Sequence, residues 1–342
     1  MMKTRTRLAT LAALALLLTG AAGAQQTTLC VFQGVAGPLA DLSDELPLSL
    51  VPFSNFDDLK SKVGDCEGIV GLIGGDLDDL LRSGPKLRWM QTLSAGVETV
   101  LVHDQLAASD ITLTNAKIIQ GPEIADHAIG LLLNFTRNLK HYNQHMDEGW
   151  NNQGGLPIIE LRGKTALIIG LGGIGTQIAQ RAAAFEMRVL AVDPKDIPIH
   201  RDVAYVGKPD ELDALLPEAD VVISSVPHTP ASRGMLGKKQ FDLMKDGVYL
   251  INISRGPIVD TDALVAALRS GKVRAAGLDV TNPEPLPADH PLWSMPNVTI
   301  TPHIATRSDM LNERRIQLFR DNVTRFVKKQ PLRHVVDKEK GY

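Results

Sequence analysis

Three ionisable residues could together move a proton beside a bound carboxylate: Arg255, Glu284 and His303, each of which follows an apolar run typical of a buried β-strand. A guanidinium can bind a carboxylate and the adjacent carbonyl through its planar fork. An imidazole can exchange a proton with a hydroxyl, and a glutamate beside it would hold its tautomer and favour its charged form. Singly, a loop arginine or glutamate is more often part of a surface ion pair, and a loop histidine is more often a solvated or core residue. The hypothesis therefore requires that the fold bring the three together.

A second motif indicates which ligand a site near these residues would bind. The apolar run Leu167–Ile169 leads directly into Gly170, Gly172 and Gly175, and Asp193 follows 18 residues after the last glycine. The glycines allow a tight turn, close approach of the backbone to a pyrophosphate, and packing of the next helix on the strand. That helix would offer its N-terminal N–H groups to the phosphates. Asp193 would accept both ribose hydroxyls and repel a 2′-phosphate, which favours NAD over NADP.

The elements that must position these residues alternate between short apolar runs and longer amphipathic ones, which is typical of parallel α/β folds. We expect helices near 56–63, 77–82, 122–145 and 308–328. The predicted strands are 29–32, 68–73, 88–93, 111–114, 165–169, 188–192, 221–224, 248–252, 275–279 and 298–301.

The order of these elements predicts two domains with a cleft between them. The amphipathic final helix needs an apolar surface, and the first α/β unit is the natural one. We therefore expect a split first domain, residues 25–124 and 304–342, with a dinucleotide-binding domain, residues 125–303, inserted into it. The fold class is α/β, with two doubly wound parallel sheets: a Rossmann domain inserted into a flavodoxin-like substrate domain.

The first 24 residues are typical of a secretory signal peptide. Lys3, Arg5 and Arg7 precede an apolar run that ends at Leu18, and small residues end the segment at Ala24. The leader predicts a periplasmic or secreted protein with no membrane contact after cleavage. If the leader is inefficient or the start is misassigned, the protein stays in the cytoplasm. The net charge of −3, which becomes −6 without the leader, argues against nucleic acid as a partner.

Metal binding and disulfide bonding are both open to two interpretations. His141 and His145 are four residues apart on a predicted helix, but no third ligand follows, so we expect a solvated face and no metal.

The two cysteines, Cys30 and Cys66, are either small buried hydrophobes, the interpretation we favour, or one disulfide formed in an oxidising compartment.

Longer motifs identify the chain as similar to the D-isomer-specific 2-hydroxyacid dehydrogenase family, most densely from Leu161 to Ala305. The spacing between Arg255 and Glu284 is 29 residues and that between Glu284 and His303 is 19, which fits the family. The motifs that carry the resemblance are Leu171–Met187 with Asp193-Pro194, Asn252–Asp260, Leu278–Leu286, Pro291–Trp293 and Thr301–His303.

The resemblance implies a role for each residue of the site. Arg255 would bind and polarise the substrate, His303 would be the general acid and base, and Glu284 would be its partner. Asp279 would bond the nicotinamide carboxamide, and backbone N–H groups of the loop 94–97 would hold the substrate carboxylate. The implied cofactor-binding residues are Gly170, Gly172, Gly173, Ile174, Gly175, Asp193, Val226, Pro227, Ile253, Arg255 and Asp279, and the implied substrate-binding residues are Ala95, Gly96, Val97 and Arg255.

The expected activity is NAD-dependent interconversion of a small 2-oxo acid, such as glyoxylate, hydroxypyruvate or pyruvate, and its D-2-hydroxy acid, in a protein that is usually a homodimer. Two alternatives stay open: a non-catalytic, NAD-sensing binding protein, and a hydride-transfer enzyme with another donor such as phosphite. Gly74 and Gly75 follow a strand where family members often carry an arginine, so the substrate preference is open. Glu284 stands where formate-specific relatives have glutamine, which disfavours formate.

Overall fold

The computed structural model describes residues 26–72, 74–198 and 201–342, so the predicted leader lies outside the described residues. The first of its two sheets has five parallel strands in the order β2-β1-β3-β4-β5, which is flavodoxin-like. These strands are β1 (Thr27–Phe32), β2 (Leu48–Phe53), β3 (Gly68–Leu72), β4 (Trp89–Thr92) and β5 (Thr112–Thr114).

The second sheet has seven parallel strands in the order β12-β11-β10-β9-β6-β7-β8. The order reverses between β6 and β9, and such a switch point is where open α/β sheets bind ligands. The strands are β6 (Thr165–Ile169), β7 (Arg188–Val192), β8 (Tyr205–Gly207), β9 (Val221–Ser224), β10 (Val248–Asn252), β11 (Val273–Leu278) and β12 (Val298–Ile300). The doubly wound α/β fold expected from the sequence is confirmed.

Helices cover both faces of each sheet. Among the described residues, no helix combines the length and the apolar character of a bilayer-spanning segment. The helices are α1 (Gln33–Ala36), α2 (Leu42–Glu45), α3 (Phe56–Lys62), α4 (Leu77–Ser83), α5 (Glu98–Leu101), α6 (Asp104–Ala107), α7 (Gly121–Thr136), α8 (Leu139–Gln144), α9 (Gly173–Ala184), α10 (Leu212–Leu215), α11 (Lys238–Leu243), α12 (Thr261–Ser270) and α13 (Leu311–Val327).

Alternating residues of each strand enter opposite apolar layers, as the twofold period of a strand requires. On β6, Leu167 and Ile169 pack toward α10–α12, whereas Ala166 and Ile168 pack toward α7 and α9. Residues buried on both faces explain why the strands are continuous apolar runs in the sequence.

The two long connecting helices pack on different sheets. Helix α7 joins the core of the seven-stranded sheet through residues such as Ile124 and Leu132. Helix α13 returns to the five-stranded sheet, where Phe319 and Val323 are buried against Leu29 and Trp89. We call the five-stranded sheet with α13 the first unit, and the seven-stranded sheet with α7 the second unit. The domain limits at 124/125 and 303/304 stay a prediction.

The structure corrects several of the predicted elements. Strands β2 and β8 were not expected, because β2 contains a proline and β8 has only three residues at a sheet edge. The long helix expected over 122–145 is two helices, because Asn138 adopts the left-handed conformation with φ of 60°. Asparagine tolerates that region because its short side chain can bond locally.

The favoured interpretation of the cysteines, two unbonded buried residues, is wrong. Cys30 of β1 and Cys66, just before β3, form a disulfide with a Cα–Cα distance of 5.7 Å. Parallel pairing of β1 with β3 brings the two positions together, since Cys30 lies opposite Ile69. Closing a loop of 36 residues stabilises the fold by about 3–4 kcal/mol in the chain-entropy account.

Candidate active site

A cleft of about 1120 Å³ lies at the carboxyl ends of both sheets. Residues of both units line it, including most of those singled out from the sequence. Gly175, Val97 and Glu284 are not among its lining residues. The lining residues predicted from the sequence are Ala95, Gly96, Gly170, Gly172, Gly173, Ile174, Asp193, Val226, Pro227, Ile253, Arg255, Asp279 and His303.

The imidazole of His303 is paired with the carboxylate of Glu284. His303 Nδ1 lies 2.7 Å from Glu284 Oε1, and the other carboxylate oxygen accepts a hydrogen bond from the backbone of Thr281 at 3.3 Å. A carboxylate can only accept in this contact, so Nδ1 carries the proton. The Nε2 atom is therefore the ring nitrogen available for proton exchange with a molecule in the cleft.

The turn that carries His303 is held by the carboxylate of Asp279, at the end of β11. Its two oxygens accept from the Thr301 hydroxyl at 2.6 Å and from the backbone N–H groups of Ile304 and Ala305, each at 2.9 Å. The N–H of His303 donates to the Asp279 carbonyl, also at 2.9 Å. His303 has a φ of 51°, a conformation that needs such support in a residue with a side chain.

The loop that carries Arg255 is built by its neighbours. Asn252 accepts hydrogen bonds from the backbone and hydroxyl of Ser254 and donates to the Arg255 carbonyl at 3.1 Å. Gly256 allows the loop to approach the segment of Glu284, because a Cβ there would lie 1.8 Å from the Thr281 carbonyl oxygen. The two loops therefore meet in a way that only glycine permits at this position.

An ion pair joins Arg255 of the second unit to Glu98 of the first. Arg255 Nε lies 3.1 Å from Glu98 Oε1, and Nη1 donates to the Ser254 carbonyl at 2.7 Å. Nη2 lies against Gly96, where a Cβ would come within 2.1 Å of it. Two of the three nitrogens are thus engaged, and the third faces the substrate loop predicted from the sequence.

That loop is fixed through its carbonyl groups. The Ala95 carbonyl accepts from the Asn115 side chain at 2.6 Å, and the Gly96 carbonyl accepts from the Ser94 hydroxyl at 2.9 Å. The side chain of Val97 is buried in the core of the first unit, so only its backbone could serve a ligand. This arrangement suits recognition of a carboxylate by backbone N–H groups.

The glycine-rich loop joins β6 to α9, whose N-terminal residues are Gly173 and Ile174. A Cβ at Gly175 would lie 2.0 Å from the Gly170 carbonyl oxygen, so this glycine serves helix–strand packing. Asp193, at the end of β7, is buried, and its carboxylate accepts from the backbone N–H groups of Leu171 and Lys195, each at 2.9 Å. The acid thereby ties the glycine loop to the segment after β7.

The cleft suits an elongated dinucleotide. Its volume exceeds the upper end of the roughly 300–1,000 Å³ range of drug-sized pockets. The glycine loop and the start of α9 could hold a pyrophosphate, Asp193 a ribose, and the space near Arg255 and His303 the reactive ring. When bound, a nicotinamide ring supplies hydride transfer.

Two residues of the site were missed in the sequence. Glu98 pairs with Arg255 across the cleft, and no local pattern marks a contact between residues so far apart. Asn252 lies in the motif 252–260, but no role was predicted for its side chain, although a polar residue ending an apolar run could have indicated one. The histidines considered for a metal lie elsewhere: His141 Nε2 contacts the Gln153 carbonyl, and His145 Nδ1 contacts the His141 carbonyl.

Comparison with known proteins gives the same family as the resemblance noted in the sequence. Residues 129–305 match the model of the D-isomer specific 2-hydroxyacid dehydrogenase NAD-binding domain. The chain belongs to the D-isomer-specific 2-hydroxyacid dehydrogenase family and is an oxidoreductase that uses a nicotinamide cofactor.

Individual relatives cover most of the chain. It is 33% identical over 293 residues to a hydroxypyruvate reductase of Blautia hydrogenotrophica, covering 83% of this chain and 89% of that protein. A solved family member from Aeromonas salmonicida superposes with a TM-score of 0.76 at 32% identity, over 92% of this chain and 99% of that one. A D-3-phosphoglycerate dehydrogenase of Archaeoglobus fulgidus is 37% identical over 76% of this chain, which spans about half of that protein, 49%.

Replacing Glu98 with glutamine should raise the KM for the substrate acid and lower kcat/KM about tenfold, which corresponds to about 1.4 kcal/mol. The change removes the charge that orients Arg255 while keeping the shape of the side chain. Steady-state kinetics would show it, and the Kd for the reduced cofactor should not change. Glu45→Gln, the same change at an exposed site outside the cleft, is the control. An unchanged kcat/KM in Glu98→Gln would contradict the orienting role.

Proposed function

We propose that the protein interconverts a small 2-oxo acid and its D-2-hydroxy acid, with NAD as the hydride carrier. The observation that carries the proposal is the convergence of His303, with its Glu284 partner, and Arg255 on the cleft that the glycine loop also lines. Asp193 supports the choice of NAD, because its carboxylate would disfavour a 2′-phosphate. Glyoxylate, hydroxypyruvate and pyruvate are the candidate 2-oxo acids.

Each residue has a defined task in this reaction. Arg255 would bind the carboxylate and the adjacent carbonyl, and backbone N–H groups of Ala95–Val97 would hold the same carboxylate. In the reducing direction, His303 would donate its Nε2 proton to the carbonyl oxygen, and in the oxidising direction it would remove that proton. Glu284 would keep Nδ1 protonated and the ring oriented, and Asp279 would bond the nicotinamide carboxamide besides holding the turn.

The purified protein should oxidise NADH with one or two members of a panel of 2-oxo acids, and NADPH should be a poor substitute. His303→Asn should lower kcat by about 10²–10⁴-fold, the usual contribution of a general acid. Asparagine suits this test because it tolerates the left-handed backbone found at position 303. Absorbance at the nicotinamide band measures turnover, and quenching of protein fluorescence measures NADH binding.

The outcomes separate the competing functions. Loss of turnover in His303→Asn with NADH binding retained supports the dehydrogenase. No turnover across the panel, with NADH still bound, would favour the cofactor-sensing alternative. Reduction of NAD by phosphite would identify the alternative donor. Equal use of NADPH would contradict the role given to Asp193.

We also propose that the protein is exported to the periplasm, on the strength of the leader sequence and the Cys30–Cys66 disulfide, since such bridges persist in oxidising compartments. Residues 1–24 fused to alkaline phosphatase should direct active enzyme to the periplasm. Native protein denatured without reductant should release no titratable thiol, whereas a leaderless control kept in the cytoplasm should release two. Full-length protein that accumulates in the cytoplasm with two free thiols would contradict export.

We further propose a homodimer built on the segment 139–160. Four large apolar side chains of this segment are exposed, Leu139, Met146, Trp150 and Ile158, with Trp150 fully so. Exposed large apolar side chains concentrated in one segment support an interface between copies. Light scattering should give twice the chain mass, and Trp150→Ser should shift the protein toward monomer, unlike Phe185→Ser at an exposed site elsewhere. A monomeric wild-type protein at micromolar concentration would refute the dimer.

A further inference from the structure

The segment 335–342, which we call the tail, runs along the first unit toward the cleft. Val335 forms an antiparallel bridge with Thr114 of β5, and the N–H of Val336 donates to the Leu113 carbonyl at 2.8 Å. The ammonium of Lys117 donates to the Val335 carbonyl at 2.9 Å. The start of the tail is thus bonded to the last strand of the five-stranded sheet.

A lysine anchors the middle of the tail. The Nζ atom of Lys338 donates to the carbonyls of Leu106 and Ser109, at 2.9 and 2.8 Å, and to the Ser109 hydroxyl at 3.1 Å. Three acceptors satisfy the three donors of the ammonium. This side chain fixes the direction in which the following residues leave the first unit.

The last residues of the tail form a turn. Gly341 donates to the Asp337 carbonyl at 2.8 Å, and the N–H of Asp337 donates to the carbonyl of Tyr342 at 3.1 Å. The Asp337 carboxylate also accepts from the backbone and ammonium of Lys340, at 3.0 and 2.8 Å. The turn therefore holds Tyr342 in a defined place.

That place is the mouth of the cofactor cleft, opposite the reacting end. The Tyr342 ring lies over Lys195, with Nζ 4.7 Å from the ring centroid, and Lys195 belongs to the second unit, two residues after Asp193. A Cβ at Gly341 would lie 4.0 Å from Thr229 of the same unit. Glu339, Lys340 and Tyr342 line the cleft together with Asp193 and Thr229.

We propose that the tail completes the adenosine end of the cofactor site and that Tyr342 contacts the adenosine half of the bound dinucleotide. The inference rests on the nicotinamide dinucleotide of the proposed function. Asp193 marks the ribose of that half, and Tyr342, on a segment bonded to the first unit, lines the same cleft. An aromatic face suits a purine base, and its contact with Lys195 shows that it is presented to the second unit.

Binding of two nucleotides by the full chain tests this assignment. Tyr342→Ala should raise the Kd for NADH about tenfold and leave unchanged the Kd for reduced nicotinamide mononucleotide, which lacks the adenosine half. Tyr342→Phe keeps the ring and should bind NADH like the wild type. Phe185→Ala, which removes an exposed aromatic ring outside the cleft, is the matched control. Fluorescence titration of the wild type and the three variants with both nucleotides measures the Kd values, and thermal melts verify that the variants fold.

Two results would overturn the proposal. An unchanged Kd for NADH in Tyr342→Ala would show that the ring makes no contact with the cofactor. Equal weakening of both nucleotides would show that the tail only shapes the cleft as a whole. Because the titration measures binding and not turnover, the proposed reaction can fail with every acid tested while the role of Tyr342 is still decided.

Discussion

The carboxylate of Asp279 determines the geometry at the reacting end of the cleft. It gathers the Thr301 hydroxyl and two successive backbone N–H groups around one buried acid, which forces the chain to turn sharply after β12. His303 lies inside that turn and is directed toward the cleft and Glu284 by it. A buried carboxylate with three donors is strongly favoured over one left unpaired, so these hydrogen bonds stabilise the turn without a ligand.

The cleft itself exists only because two units face each other, and a few side chains join them. Arg255 reaches Glu98, Arg314 at the start of α13 reaches Glu123 at the start of α7, and Lys195 reaches Tyr342. The pair formed by Glu123 lies where the two connections between the units run side by side. Burial raises the pKa of Glu123, and Arg314 opposes that shift. Contacts at the reacting end, at the connections and at the far mouth therefore define how the units meet.

Much of this architecture could be predicted from the sequence because its signals are local. A strand buried on both faces is a continuous apolar run, and the glycine loop with Asp193 has a fixed spacing imposed by one βαβ unit. The short strand β8 carries too few residues for a pattern, and the break at Asn138 depends on one backbone conformation. The disulfide was not predicted either, because the two cysteines meet only through the pairing of β1 with β3, which are distant in sequence.

Contacts between residues on opposite sides of the cleft are the ones that could not be predicted from the sequence. Glu98 and Arg255 are separated by most of the second unit, and Tyr342 meets Lys195 only after the chain has crossed both sheets. In neither pair is the number of residues between the two partners one that the geometry of a single helix or strand would impose. Glu284 and His303, in contrast, follow neighbouring strands of one sheet, so their meeting could be anticipated from strand order.

The return of α13 to the first sheet has a consequence for biosynthesis. The ribosome delivers β1 to β5 first, yet Trp89 and Leu29 stay without their covering helix until Phe319 and Val323 have been made. The second unit is continuous in the chain and can close its own core earlier. During synthesis one apolar face of the five-stranded sheet is thus exposed until α13 has been made. Over that interval the face would be a binding site for a chaperone that holds unfolded chains.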